Sequence, residues 1–121
     1  MPFKSNYFNL LVSINTIHYT KGNDIHLALE EFKRVLKHDG VLYLETVNTN
    51  DEFVKSSKRI SKFNWKYLEN GFRKKANLSF FDGKKHLKNE LKNYFKTLNV
   101  FTRVETTLKS KKKFLIALCK L

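Results

Sequence analysis

The sequence predicts an α/β fold in which strand, helix, strand, helix, strand and strand follow one another and the last two strands form an antiparallel hairpin. Three observations carry this. Phe8–Ile14 is a near-continuous apolar run, Ile25, Leu29, Phe32 and Leu36 recur at helical spacing, and Val41–Val47 is a second apolar run directly after a glycine. Apolar runs of seven suit strands, and spacings of four, three and four draw one stripe along a helix. A strand, a crossover helix and a second strand predict a right-handed βαβ unit with parallel strands.

Phe8-Asn9-Leu10-Leu11-Val12-Ser13-Ile14 has the composition of a strand buried on both faces, the usual state in a parallel sheet. Asn15 to Asn23 follows as a loop. Asn23 or Asp24 is placed to cap the helix, since a short side-chain oxygen accepts from the free N–H groups of a first turn. Ala28 and Val35 widen the apolar stripe, and Lys33, Arg34 and Lys37 lie where cations suit the helix dipole. Glu30 stands four residues before Arg34, a spacing that allows an ion pair. Gly40 is expected to supply the left-handed residue that stops the helix. The βαβ unit then covers residues 8–47.

Residues 48–81 read as an irregular insertion. Glu52 to Lys62 is weakly amphipathic, with Phe53, Ile60 and Phe63 as apolar positions, and Trp65, Tyr67, Leu68, Phe72, Leu78, Phe80 and Phe81 follow among basic residues. Residues 82–121 read as helix plus hairpin. Asp82 or Gly83 opens the helix, Leu87, Leu91, Phe95 and Leu98 form its stripe, Val100 to Glu105 alternates, and Phe114–Cys119 is a further apolar run.

At 121 residues the chain is one small domain or part of one, and 41% apolar content is enough to bury a core. No apolar run approaches the roughly 20 residues of a membrane helix, and no secretory leader is recognisable at Met1 to Asn9. The single cysteine, Cys119, excludes an internal disulfide and a cysteine-rich zinc site. His26 and His38 have no second histidine or cysteine at helical spacing, so no metal site is expected. A cytoplasmic location is the default for such a chain.

The net charge of +13 is uneven, with −2 over residues 1–52 and +15 over residues 53–121. A basic half of this kind attracts nucleic acid or other polyanions by counterion release, or is simply a lysine-rich solvated surface. The lysines are scattered rather than packed with base-stacking aromatics, so nucleic acid is a weakly supported partner.

Phe8, Ser13, Ile17-His18-Tyr19, Glu30 or Glu31, Arg34-Val35-Leu36-Lys37 and Gly40 match, in order and spacing, a stretch of another kind. It resembles the middle of class I S-adenosylmethionine-dependent methyltransferases of the methyltransferase type 11 kind, from the family's fourth strand to its fifth. Asn9 stands where the family usually has Asp, and His38-Asp39 where it has Pro-Gly. No G-x-G-x-x-G occurs, and only seven residues precede Phe8. The resemblance therefore implies a truncated methyltransferase-like domain, the C-terminal half of a Rossmann-like sheet without the glycine-rich cofactor-binding half.

The resemblance also implies where chemistry would sit. Ligands of open α/β sheets bind beyond the carboxyl ends of the strands, here the loop after Ile14 and the segment after Val47. S-adenosylmethionine is the implied cofactor, with Ser13, Asn15 and Thr16 as candidate cofactor-binding residues and Tyr19, Asn48 and Trp65 as candidate substrate-binding residues. His18 is the candidate catalytic base, because imidazole titrates near neutrality. The plain alternatives are strand-end packing for His18, turn chemistry for Asn15, helix capping for Asn48, Asn50 and Asp51, and core-edge cover for the aromatics of the insertion.

The expected function is methyl transfer to an unidentified acceptor together with a complementary N-terminal half. The alternative is a catalytically inactive fragment or a basic module that binds a partner or nucleic acid. Without its usual neighbour the Phe8–Ile14 strand would offer an apolar edge, through which a complementary half or a second copy could associate.

Overall fold

The computed structural model describes residues 2–20, 24–49, 51, 57–59, 65–67, 77–109 and 111–121. The expectations that rest on Asn23, Asn50, Phe53, Ile60, Phe63, Leu68 and Phe72 lie outside these residues.

The elements in chain order are β1 (Phe8–Ile14), a 3₁₀ turn (Ile17–Tyr19), α1 (Asp24–Val35), β2 (Leu36–Val47), β3 (Ser57–Arg59), β4 (Trp65–Tyr67), β5 (Asn77–Leu78), α2 (Lys84–Leu91), β6 (Thr97–Thr106) and β7 (Lys111–Lys120). The main sheet has the order β1-β2-β7-β6. β1 runs parallel to β2, with Leu10 opposite Val41 and Ser13 opposite Leu44. β7 is antiparallel to both β2 and β6. The parallel pair with its crossover helix and the terminal hairpin are therefore both present. The stretch expected to be irregular carries β3, β4 and β5, which form a small antiparallel sheet.

Directly paired residues point to the same face of a sheet, and this sorts the side chains. Leu11, Leu42 and Cys119 form one inner row, and Ser13, Leu44, Ala117 and Val100 the next. Ile25 and Leu29 of α1 and Leu87 and Leu91 of α2 join these rows in one core with Ile17, Leu36, Phe81 and Leu115. Leu29, Leu42, Leu44, Leu87 and Leu115 are fully buried, each contributing about 1.5–3 kcal/mol on transfer from water.

The helix-to-strand junction departs from the sequence expectation. α1 ends at Val35, and its last carbonyls are met by the lead-in segment, with Asn6 N donating to Arg34 O and Tyr7 N to Val35 O, both at 2.9 Å. The register then jumps, Phe8 facing Leu36 and Leu10 facing Val41. The left-handed residue inside this bulge is Asp39, at φ 61°, and not Gly40. Gly40 is required for closeness instead: a Cβ there would lie 2.8 Å from the Lys37 carbonyl oxygen. The helix-face ion pair joins Arg34 to Glu31 at i,i+3 rather than to Glu30. This guanidinium holds the Glu31 carboxyl below its ordinary range, mainly through the hydrogen bond.

The second departure concerns β1. Its inner face is covered as expected, but Leu10, Val12 and Ile14 are 56%, 53% and 49% exposed on the outer face. β1 is an edge strand, and no described helix lies over the outer side of this strand. Towards the other end of that face, Val47 and Phe114 are covered, packing with Leu78, Phe80 and Trp65.

Candidate functional site at the carboxyl ends of β1 and β2

β1 ends where Asn15 turns left-handed, at φ 52°. The Asn15 N–H still donates to Glu45 O at 2.9 Å, so the turn starts from a fixed point of the parallel ladder. Thr16 Oγ1 donates back to Ile14 O at 2.9 Å. The 3₁₀ turn then buries Ile17 and His18, at 2% and 3% exposure, and leaves Tyr19 at the surface. The turn is tied down from across the fold: Ser79 N donates to His18 O at 2.7 Å, and Ser79 Oγ to Thr20 O at 2.5 Å. The His18 ring lies 4.4 Å from that of Tyr19 and stacks at 6.1 Å on Phe80.

After β2 the chain folds back on β7. Asn48 N donates to Lys113 O at 3.0 Å, and Asp51 N to Asn48 O at 2.9 Å. The Asp51 carboxylate, 3% exposed, accepts from the backbone N–H of Lys113. Asn48 and Asp51 are thus clipped to the start of β7, more than sixty residues further along the chain.

The result is a cavity of about 190 Å3 at the carboxyl ends of the parallel pair. Asn15, His18 and Tyr19 line it from the β1 loop, Val47 and Asp51 from the end of β2, and Lys112 and Phe114 from β7. The wall behind Phe114 is electrostatically braced. Arg103 places its guanidinium 4.6 Å over the Phe114 ring and pairs with Glu45, which is 5% exposed. Tyr43 Oη donates to the same Glu45 at 3.2 Å. Burial, and then the Glu45 charge, push the Tyr43 hydroxyl above its ordinary range.

Of the residues singled out from sequence, the structure brings His18, Asn15 and Tyr19 together on this cavity. Ser13 faces the buried side of the sheet, and Thr16 spends its hydroxyl on the turn. Asn48 is buried and bridges Phe81 through its backbone. Trp65 packs on the second apolar cluster, 5.5 Å from Phe80 and under the Arg59 guanidinium. His26 bonds Tyr94 Oη at 3.0 Å, well away from the cavity lining. Among the described residues no three His, Cys, Asp or Glu side chains converge as a metal site would need, and no helix is long and apolar enough to cross a membrane.

Sequence reasoning placed Asp51 in the segment after Val47 where chemistry would sit, with capping as its plainer reading, and the structure puts it on the cavity. It did not assign Lys112 and Phe114 to the site. Those two carried no signal, because only the antiparallel return of β7 along β2 brings them there.

Comparison with known proteins agrees with this fold. Residues 1–44 match the family model described as a methyltransferase domain. None of the curated proteins matches the chain by sequence. A SAM-dependent methyltransferase of Thermotoga maritima, a possible histamine N-methyltransferase, superposes with a TM-score of 0.71 at 20% identity, over 99% of this chain and 59% of its own. A SAM-dependent methyltransferase of Methanosarcina mazei gives 0.70 at 18% identity, over 100% and 63%. The 1,6-didemethyltoxoflavin-N1-methyltransferase of Burkholderia thailandensis, solved with bound 1,6-didemethyltoxoflavin and S-adenosylhomocysteine, gives 0.67 at 10%, over 96% and 44%. The chain thus spans less than two thirds of the length of each. It carries the methyltransferase-domain sequence pattern in residues 1–44, and over nearly its whole length it has the fold of part of a SAM-dependent methyltransferase domain.

Proposed function

We propose that this chain supplies the acceptor side of a site for S-adenosylmethionine-dependent methyl transfer, and that it does so together with a complementary half bearing the glycine-rich turn. The observation that carries this reading is the cavity itself. It lies beyond the carboxyl ends of two parallel strands, where ligands of open α/β sheets bind, and a buried imidazole and an exposed phenol from one loop line it.

The cavity volume supports the need for a second half. At about 190 Å3 it is smaller than the roughly 300–1,000 Å3 of sites that enclose a whole drug-sized ligand. The residues present fit the reacting end of the cofactor and the acceptor, and not the nucleoside. When bound, the cofactor supplies a methyl group on a sulfonium, which an acceptor lone pair attacks as the S–C bond breaks. The protein's part is alignment and proton handling. Tyr19 and Phe114 form apolar walls that orient a flat acceptor. Asn15 offers an amide at the strand end. His18 is placed to take the acceptor's proton, its position held by Ser79 through the backbone and by Phe80 through the ring. Lys112 puts a cation at the mouth.

Calorimetric titration with S-adenosylmethionine tests this. The lone chain is expected to show no tight binding, and micromolar affinity would overturn the need for a second half. With a complementary half present, tight binding is expected; its absence would overturn the methyl-transfer reading. The +15 charge of residues 53–121 and the lysines at the β6–β7 tip support a second reading, a catalytically silent basic module. Binding of polyanions with a steep salt dependence, without cofactor binding in any assembly, would favour it.

A further inference from the structure

We propose that the opposite end of the sheet carries a second binding site, a basic cavity that takes a compact phosphate monoester attached to a flat apolar group. The cavity lies where the carboxyl ends of α1 and α2 approach the bulge before β2 and the end of β7. It is independent of the methyl-transfer reading. Val41 and Val47 are six residues apart along β2, so the two cavities stand on the order of 20 Å apart at the rise of a strand.

The backbone builds this second cavity. α2 ends at Leu91, and the chain turns through residues 92–96 into β6. Tyr94 N and Phe95 N both donate to Leu91 O at 3.0 Å and close that turn. Its far end is sewn to β7, with Lys96 N donating to Lys120 O at 2.9 Å, and Leu121 N donates to Gly40 O at 3.0 Å in the bulge. His38 comes from the same bulge and Lys33 from the last turn of α1. Together these segments enclose about 250 Å3. The floor is apolar: Phe95 is 4% exposed, and Leu121 packs against the same core. Tyr94 makes a side wall, and its hydroxyl is held by His26 Nδ1 at 3.0 Å, so the ring is pinned from α1.

The charge of the lining has one sign. Lys33, Lys92 and Lys96 line the cavity with His38, and no carboxylate side chain does. Among the described residues, none of these three ammonium groups has a hydrogen-bond or ion-pair partner. His38 is different, facing Asp39 at 3.6 Å. The Glu30 and Glu90 charges are felt at the Tyr94 hydroxyl, which they and burial raise above its ordinary range, and neither carboxylate lines the cavity. Lysines near a helix end commonly serve its last carbonyls. Here those carbonyls are already met: Arg34 O and Val35 O accept from Asn6 N and Tyr7 N, and Leu91 O from the turn. The cations are therefore left for a ligand, and a cleft lined by one sign of charge concentrates counter-ions.

The ligand follows from the count and the floor. Three cations in one small cavity exceed what the single charge of a monocarboxylate balances. A phosphate monoester carries about −1.5 to −2 near pH 7 and presents three acceptor oxygens, and lysine binds phosphate as a point charge. Asn93 adds an amide at the rim. Phe95, Leu121 and the Tyr94 ring then cover the esterified group. A volume below the roughly 300–1,000 Å3 of drug-sized sites limits that group to about one ring.

Calorimetric titration of the whole chain with phenyl phosphate, inorganic phosphate, benzoate and phenol, at one ionic strength, is the test. Phenyl phosphate is expected to bind at least fivefold tighter than inorganic phosphate or benzoate, and phenol not to bind. Lys33→Gln combined with Lys92→Gln should weaken phenyl phosphate at least tenfold. Lys109→Gln combined with Lys111→Gln removes the same charge from the far tip of the hairpin and should change it less than twofold. All four lysines are exposed, so circular dichroism and the thermal midpoint should hold in both variants. No binding of phenyl phosphate at millimolar concentration overturns the proposal. So does an equal loss in the two double variants, which would assign the binding to diffuse charge. Inorganic phosphate, benzoate or phenol binding as tightly as phenyl phosphate overturns it as well, because the site would then lack either its apolar floor or its need for a doubly charged group.

Discussion

Asp51 offers the sharpest test of how the cavity is held. Its buried carboxylate accepts from the Lys113 backbone N–H, so one side chain fixes the segment after β2 against the first residues of β7. A hydrogen bond to a charged group is worth about 1.5–3 kcal/mol net. Asp51→Ala removes that bond and leaves a part-buried N–H without this acceptor, so a loss of about 2 kcal/mol is expected. For a chain of this size that is roughly 8 °C in thermal midpoint, at about 4 °C per kcal/mol. Asp51→Asn keeps a carbonyl oxygen at the same position, and with a neutral bond worth about 1 kcal/mol it should recover close to half of the loss. The assay is urea unfolding followed by circular dichroism, with amide exchange at Lys113 as the local readout. The exchange of that single amide should accelerate in Asp51→Ala well before global unfolding. A loss below about 0.5 kcal/mol, the range of an ordinary surface substitution, would refute the clip, as would an unchanged Lys113 amide.

Further outcomes follow from the junction and the core. Asp39→Gly should stabilise the chain by up to about 1 kcal/mol, because glycine carries no penalty at the left-handed φ of 61°. Gly40→Ala should destabilise it, because the new Cβ meets the Lys37 carbonyl oxygen at 2.8 Å; denaturant midpoints decide both, and an inverted pair of signs would refute the assignment. Burial pushes the Cys119 thiol up to about 12. Between about pH 9 and that value the unfolded chain has lost a proton that the native chain keeps, so this group's effect is absent below about pH 9 and lowers stability as pH rises above it. Stability against pH should therefore fall more steeply for the wild type than for Cys119→Ala in that window, and a thiol reagent at pH 8 should react only as the chain unfolds.

Much of the fold was legible because it rests on local periodicity. The seven-residue apolar run, the helical stripe from Ile25 and the second apolar run define β1, α1 and β2 by spacing alone, and a crossover helix between two strands leaves the parallel arrangement as the expected one. The alternation from Val100 to Glu105 and the run from Phe114 announce the hairpin by the same means. The strand-end rule placed the site in the loop after Ile14, and His18, Asn15 and Tyr19 do line the cavity there.

What the sequence by itself determined is therefore the strands of the main sheet and the two helices, their order, and one wall of the cavity. The tertiary structure decided the opposite wall. Lys112 and Phe114 belong to it because β7 inserts between β2 and β6, a contact across more than sixty residues that leaves no trace in local pattern, and the Lys113 N–H fixes Asp51 beside them. It also decided that Asp39 and not Gly40 takes the left-handed turn, since the close passage of the bulge past Lys37 reserves the glycine for space. And it decided that Leu10, Val12 and Ile14 face outward: an apolar run states that a side chain favours burial, whereas what lies on each face of the strand determines whether it is buried.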